Sequence, residues 1–308
     1  CTAALSSDDL TIARAARRLM GIWQPQPRVT MLPEAIELSR TSALALLWAD
    51  NEGYPSRQAR QYMKMLDLRG GLELYHTCNK VWPYCDEVVK NSKFAVQSYM
   101  DRCAEEMPSP RQVVIVGAGL EPLGIEWKVR HPDDGVFELN SAEMGLKRAL
   151  LEELADPGAA EIRCLEVDLA DAQALADALL DALWRPSRPT LLIVEGLACA
   201  LAAEELSAVL NLLAESPPTS RAIVEYLLPP EQIAPDRRSV PEGVLNVLAG
   251  RFGQRPTPRF SREQLTGHTG WRALDRMTLR EMEQRRTGCC DLFPTDASGW
   301  LEVALLAP

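Results

Sequence analysis

Histidine is scarce, with His76, His131 and His268 the only three in 308 residues. None of the eight cysteines (Cys1, Cys78, Cys85, Cys103, Cys164, Cys199, Cys289, Cys290) forms a C-x-x-C pair. A structural zinc site needs clustered Cys and His ligands, so no metal is expected and the cysteines read as reduced small hydrophobes. No apolar run approaches the ~20 residues of a membrane span; the stretch 191–202 stops short and Glu195 interrupts it. Positive charge is also in deficit. Lys and Arg number 33 against 43 Asp and Glu, giving a net charge of −10, which argues against a nucleic-acid partner. Residues 1–10 are polar and carry Asp8 and Asp9 rather than a secretion signal. The expectation is an acidic cytoplasmic protein with a small-molecule substrate, no nucleic-acid or membrane partner, and a surface compatible with a homodimer.

Two textures divide the chain. Residues 1–107 read as helical: a helix capped near Ser7-Asp8-Asp9, a Leu/Ala-rich segment over 31–49, an amphipathic stretch from Pro55-Ser56 to Gly70-Gly71, and a helix over 86–106. Met107-Pro108-Ser109-Pro110 breaks the pattern and marks a boundary, with a helical N-terminal cover over 1–107 and a second domain over 108–308. There, short apolar runs at Val113–Val116, Val136–Leu139, Ile162–Val167, Leu191–Val194 and Ala222–Leu228 alternate with helical patterns. That alternation predicts a Rossmann-like α/β fold with a doubly wound, mostly parallel sheet. Trp271–Leu279 and Trp300–Leu306 read as two late strands with no long helix between them, hence an antiparallel closing pair.

Ligand-binding signals fall at the ends of the predicted strands, where open α/β sheets hold their ligands. Gly117-Ala118-Gly119 follows the first strand and lets backbone approach a ligand closely. Pro122 stands where a dinucleotide fingerprint wants its third glycine, which favours a ligand without phosphate, such as S-adenosylmethionine (SAM). Glu138, 21 positions after Gly117, suits the hydroxyls of a ribose, with Leu139 and Asn140 beside it. Asp168 and Leu169 follow the third strand; Asp168 suits an adenine amine or, equally, the cap of the helix starting at Ala170. Glu195-Gly196-Leu197 ends the fourth strand. A carboxylate there is not ordinary core, because an unpaired buried charge is costly.

The runs Gln112–Glu121, Phe137–Asn140 with Lys147–Leu151, and Pro189–Leu197 resemble the motifs of the leucine carboxyl methyltransferase-like O-methyltransferases, in that order and spacing. The resemblance spans roughly 90–308. It implies a class I methyltransferase fold that binds SAM under a helical cover. It also implies a basic residue ahead of the glycine turn for the SAM carboxylate, with Lys93 the nearest match and Lys90 the fallback. Three departures stand out: Glu121-Pro122-Leu123 where the family has Asp-Thr-Arg, Asn140 where it has Asp, and Ala200 near the place of its acceptor-binding tyrosine.

These departures leave three functions open. The first is methyl transfer from SAM to a small molecule in natural product biosynthesis. The second is a lyase resembling azetidine-2-carboxylate synthases, which cyclise SAM itself. The third is a non-catalytic SAM-binding protein. Aromatic residues are only 6% of the chain yet gather at Tyr54, Tyr62, Tyr75, Trp82, Tyr84, Phe94 and Tyr99, as helix packing or as a box for a sulfonium. Catalytic candidates are Glu195, Tyr99 and Tyr75, with His76 as a further base.

Overall fold

The computed structural model describes residues 36–49, 54–196, 201–252 and 258–308. The expected helix near Ser7 and the sites Leu197, Cys199 and Ala200 lie outside them. Seven strands form one sheet: β1 (Gln112–Val116), β2 (Gly135–Asn140), β3 (Arg163–Glu166), β4 (Thr190–Val194), β5 (Arg221–Leu227), β6 (Arg272–Thr278) and β7 (Leu301–Ala307). Their order is β3-β2-β1-β4-β5-β7-β6. The first five run parallel; β7 pairs antiparallel with β5 and with β6. The expected antiparallel closing pair is therefore present.

Burial explains the composition of these strands. Every residue of β1, β4 and β7 is buried, and apart from Gln112, Thr190 and Glu302 all of them are apolar, as in strands covered on both faces. The strand order reverses at β1, whose neighbours β2 and β4 continue to opposite sides. Such a switch point opens a crevice at the carboxyl ends of the strands.

The α-helices of eight or more residues are α1 (Arg40–Ala49), α2 (Arg57–Lys64), α3 (Leu72–Val81), α4 (Cys85–Glu106), α5 (Leu123–Arg130), α6 (Met144–Glu153), α7 (Ala172–Asp181), α8 (Ala203–Asn211), α9 (Ser239–Phe252), α10 (Arg262–Thr269) and α11 (Leu279–Thr287). Ser56 caps α2 by accepting from the Ala59 N–H at 3.1 Å. That helix ends at Lys64 rather than near Gly70, because Leu66–Asp67 pairs in parallel with Ile36–Glu37. Helix α4 has 22 residues without Gly or Pro, and Asp86 and Glu87 in its first turn suit the helix dipole. Its contacts with β5 and β7 place it against the sheet.

Helix α6 begins at Met144, after Glu143 takes a left-handed conformation at φ 68°. Between β6 and β7 stands α11, nine residues long, capped by Thr278 and ended by Gly288 at φ 78°. Its sequence LREMEQRRT is almost wholly polar, so apolar periodicity gives no sign of it.

Candidate functional site

Register aligns the strand ends. Val116 pairs with Leu139 and with Val194, and Val194 pairs with Val224. One residue further along each strand stand Asn140, Gly117, Glu195 and Glu225, a row across the carboxyl edge of the sheet. The turn after β1 is built on glycine. Gly117 and Gly119 sit at φ 80° and 46°, in the left-handed region that costs other residues energy. The Gly117 and Ala118 N–H groups donate to the Leu139 carbonyl at 2.8 and 3.1 Å. A Cβ built on Gly119 or on Gly196 (φ 66°) meets no atom within 4 Å, so space lies directly beside both backbones.

Above this row α4 supplies Lys93, whose side chain is 4% exposed. Its ammonium donates to Glu121 and lies 2.9 Å from Glu195 Oε1. Next to it on α4, Ser92 donates to Glu225 Oε2, while the Gly196 N–H donates to Glu225 Oε1 at 3.2 Å. Tyr54 closes the group, with Lys93 Nζ 5.8 Å from its ring centre. Three carboxylates thus surround one lysine. Burial, opposed by Lys93 and reinforced by Glu121 and Glu225, pushes Glu195 up to about 8. Burial likewise raises Glu225. Lys93 is held well above its usual range, because Glu121 and Glu195 outweigh its desolvation. Glu195 Oε2 and the Tyr54 hydroxyl are buried with no hydrogen-bond partner among the described residues.

Glu138 stands elsewhere. It lies one pleat repeat inside Asn140, fully buried, 2.7 Å from Lys147 Nζ, and accepts from the Gly124 N–H at 3.2 Å. A Cβ on Gly124 would fall 2.5 Å from Glu138 Oε1, so glycine is what lets α5 lie against β2. Lys147 also donates to the Glu121 carbonyl at 2.7 Å. The Glu138 carboxylate therefore ties α5, α6 and the glycine turn together from beneath. Asn140, whose Nδ2 donates to the Ala142 carbonyl at 2.9 Å, holds the strand-end position.

The remaining candidates divide. Asp168 is exposed and accepts from the Ala170 N–H at 3.0 Å, an Asx turn, while Asp171 caps α7 and Leu169 is buried beside it. Tyr99 lies six residues beyond Lys93, about 120° around the helix. Burial and the nearby Asp275 raise its phenol on that side, facing β6 and α11. Tyr75 is buried on α3, edge-on to the exposed His76 ring at 5.8 Å. Trp82 packs with Tyr84, Phe293 and Trp300. Of these aromatics, Tyr54 is the one brought to Lys93 and Glu195. Lys90 pairs with Asp86 at 3.0 Å on its own helix. Glu121, Glu225, Ser92 and Tyr54 complete the cluster. The signal for Glu225 was a single acid in an otherwise apolar strand, Ala222–Leu228.

No group of three or more His, Cys, Asp and Glu that could hold a metal occurs among the described residues. No helix among them is long and apolar enough to cross a membrane.

Residues 83–214 match the leucine carboxyl methyltransferase family. A curated relative from Mycolicibacterium smegmatis, provisionally named an S-adenosyl-L-methionine-dependent methyltransferase, is 29% identical over 69% of this chain. The chain spans 64% of the length of that relative. A provisionally named methyltransferase from Thermobifida fusca YX superposes with a TM-score of 0.61 at 15% identity, covering 92% of this chain and 98% of its own. A DUF574 family protein from Streptomyces avermitilis gives 0.58 at 16% identity, covering 78% and 90%. The resemblance read from the motifs is borne out, and the fold is the Rossmann-like fold of class I methyltransferases.

Proposed function

We propose that this chain is a SAM-dependent methyltransferase that holds SAM along the row Asn140, Gly117, Glu195 and methylates a small molecule. One observation carries the reading. A glycine turn with open space at Gly119 and Gly196 meets, at the switch point of the sheet, a buried lysine paired to a carboxylate whose second oxygen, Glu195 Oε2, has no partner among the described residues. The residues present suit the ligand. Lys93 pairs with its carboxylate, Asn140 with the ribose, Asp168 and Leu169 with the adenine. Glu121 and Glu195 face its positive charge, and Gly117 and Gly119 admit it close to backbone. SAM supplies an activated methyl group; the protein orients it and excludes water. The helices of 36–107 serve as the cover, with Tyr54 inside it.

The family match and the curated relative both bear the methyltransferase description. The cyclase alternative gains no support from them, and Tyr99, one of the rings proposed to enclose the sulfonium, faces Asp275 of β6 and Glu281 of α11. Calorimetric titration with SAM and S-adenosylhomocysteine tests the reading directly. Binding of both is expected, and loss of both in Gly119→Val. A folded protein that binds neither would end it.

A further inference from the structure

Two tyrosines of the cover, Tyr54 just ahead of α2 and Tyr62 within it, are 0% exposed, and the hydroxyl of each makes no hydrogen bond among the described residues. A phenol O–H buried without an acceptor is costly, so each invites a partner. The two differ in what surrounds them. The electrostatic neighbours of Tyr62 are Glu138, Cys164 and Glu143, each of which opposes further negative charge. Those of Tyr54 are Glu121, Lys93 and Glu195. Of the two hydroxyls, only that of Tyr54 has a cation beside it.

Burial, reinforced by Glu121 and opposed by Lys93, holds the Tyr54 phenol well above its usual range. It keeps its proton and serves as a donor. Lys93, whose Nζ stands over the Tyr54 ring at 5.8 Å from its centre, carries three N–H donors. Glu121 and Glu195 engage two of them, which leaves the third for a ligand. A donor from α4 and a donor from the cover therefore stand together, and a carboxylate accepts from several donors at once. Beside them lies the open acceptor Glu195 Oε2. An amino-acid head carries its carboxylate and its ammonium on one carbon. Two donors next to one open acceptor are the complement of such a head.

Resting on the SAM reading, we infer that Tyr54 is a ligand contact made by the cover: its hydroxyl donates to the carboxylate of the SAM amino-acid head, alongside Lys93, while Glu195 Oε2 takes the neighbouring ammonium. The cover then does more than exclude water. A site built to hydrogen-bond a group rejects ligands that lack it, because its own buried polar atom stays unpaired. Adenosine thioethers without the carboxylate leave the Tyr54 hydroxyl unanswered, so selection for the intact head resides in the cover as well as at the sheet edge.

Calorimetry on the full chain tests this with two probes, S-adenosylhomocysteine and its decarboxylated counterpart, which differ only by that carboxylate. Tyr54→Phe should weaken S-adenosylhomocysteine at least about tenfold, the scale of one hydrogen bond to a charged group, and leave the decarboxylated probe within about twofold. Tyr62→Phe should leave the ratio of the two affinities unchanged. Without ligand, Tyr54→Phe should melt no lower than the parent, because the hydroxyl removed has no partner to lose. Equal weakening of both probes, no weakening of either, or a ratio shifted as much by Tyr62→Phe overturns the assignment. A Tyr54→Phe chain that fails to fold or melts lower overturns it too, since the hydroxyl would then be partnered within the protein. If the parent binds neither probe, the SAM reading falls and this inference with it.

Discussion

Glu195 and Glu225 stand side by side, one residue past the paired Val194 and Val224 of neighbouring parallel strands. Two carboxylates at that separation raise each other's proton affinity, and Lys93 reaches only the first of them.

Lys93 is the residue whose loss should cost most. Lys93→Met would leave Glu121 and Glu195 facing each other without a counter-charge. Breaking a buried pair from one side costs about 3–5 kcal/mol. Urea unfolding should show a loss of that order, with SAM binding abolished; a variant as stable as the parent would refute the pairing.

Glu138 and Lys147 are expected to act on stability rather than through contact with ligand. Glu138→Leu alone strands a buried ammonium and should destabilise by about 3–5 kcal/mol, whereas Glu138→Leu with Lys147→Met should recover most of that loss. A double-mutant cycle by denaturant titration measures the coupling. If the single variant keeps its stability and loses only SAM affinity, Glu138 touches the ribose after all.

Glycines 119 and 124 should separate function from folding. Gly119 has φ 46° and open space around a Cβ, so Gly119→Val should cost only about 1–2 kcal/mol of backbone strain yet eliminate SAM binding. Gly124→Ala drives a Cβ to 2.5 Å from Glu138 Oε1; overpacking of this kind costs about 1–3 kcal/mol. Thermal melts beside ligand titrations distinguish the two.

The titration of Glu195 has a definite sign. Its folded value of about 8 lies above the ordinary carboxylate range, so the folded chain retains a proton that the unfolded chain releases. Its contribution to stability is complete below the ordinary carboxylate range and is lost as pH rises toward about 8. Ligand binding should run the other way, because a cation expels that proton. SAM affinity is expected to rise with pH through neutrality, with proton release visible in buffers of different ionisation enthalpy. Glu195→Gln should flatten both trends; a pH-independent SAM affinity in the parent would contradict this arrangement.

Much of this was readable in advance. The mostly parallel sheet with its antiparallel closing pair followed from apolar runs separated by helical patterns, and Glu195 was conspicuous as a charge at a strand end. Lys93 came from the family resemblance, as the nearest match to its basic residue ahead of the glycine turn, with Lys90 the fallback. Glu138 shows where spacing runs out. Positions 138 and 140 share a face, and only the register with Val116 shows that 140, not 138, reaches the edge. Glu225 was hidden for a related reason. A lone acid in Ala222–Leu228 belongs to the site only because Val224 pairs with Val194, which local sequence does not encode. Tyr54 was one of seven aromatics, and packing alone decided which of them meets Lys93.

Strand β7, the last segment of the sheet, lies between β5 and β6 rather than at an edge. During synthesis the first five strands therefore leave the ribosome with one whole side of β5 unpaired, backbone groups and apolar face together. That edge stays open until Leu301–Ala307 has emerged and inserted, and open edges recruit other chains. Shortening the chain by those seven residues would not trim the protein; it would leave the nascent state's adhesive edge permanently exposed.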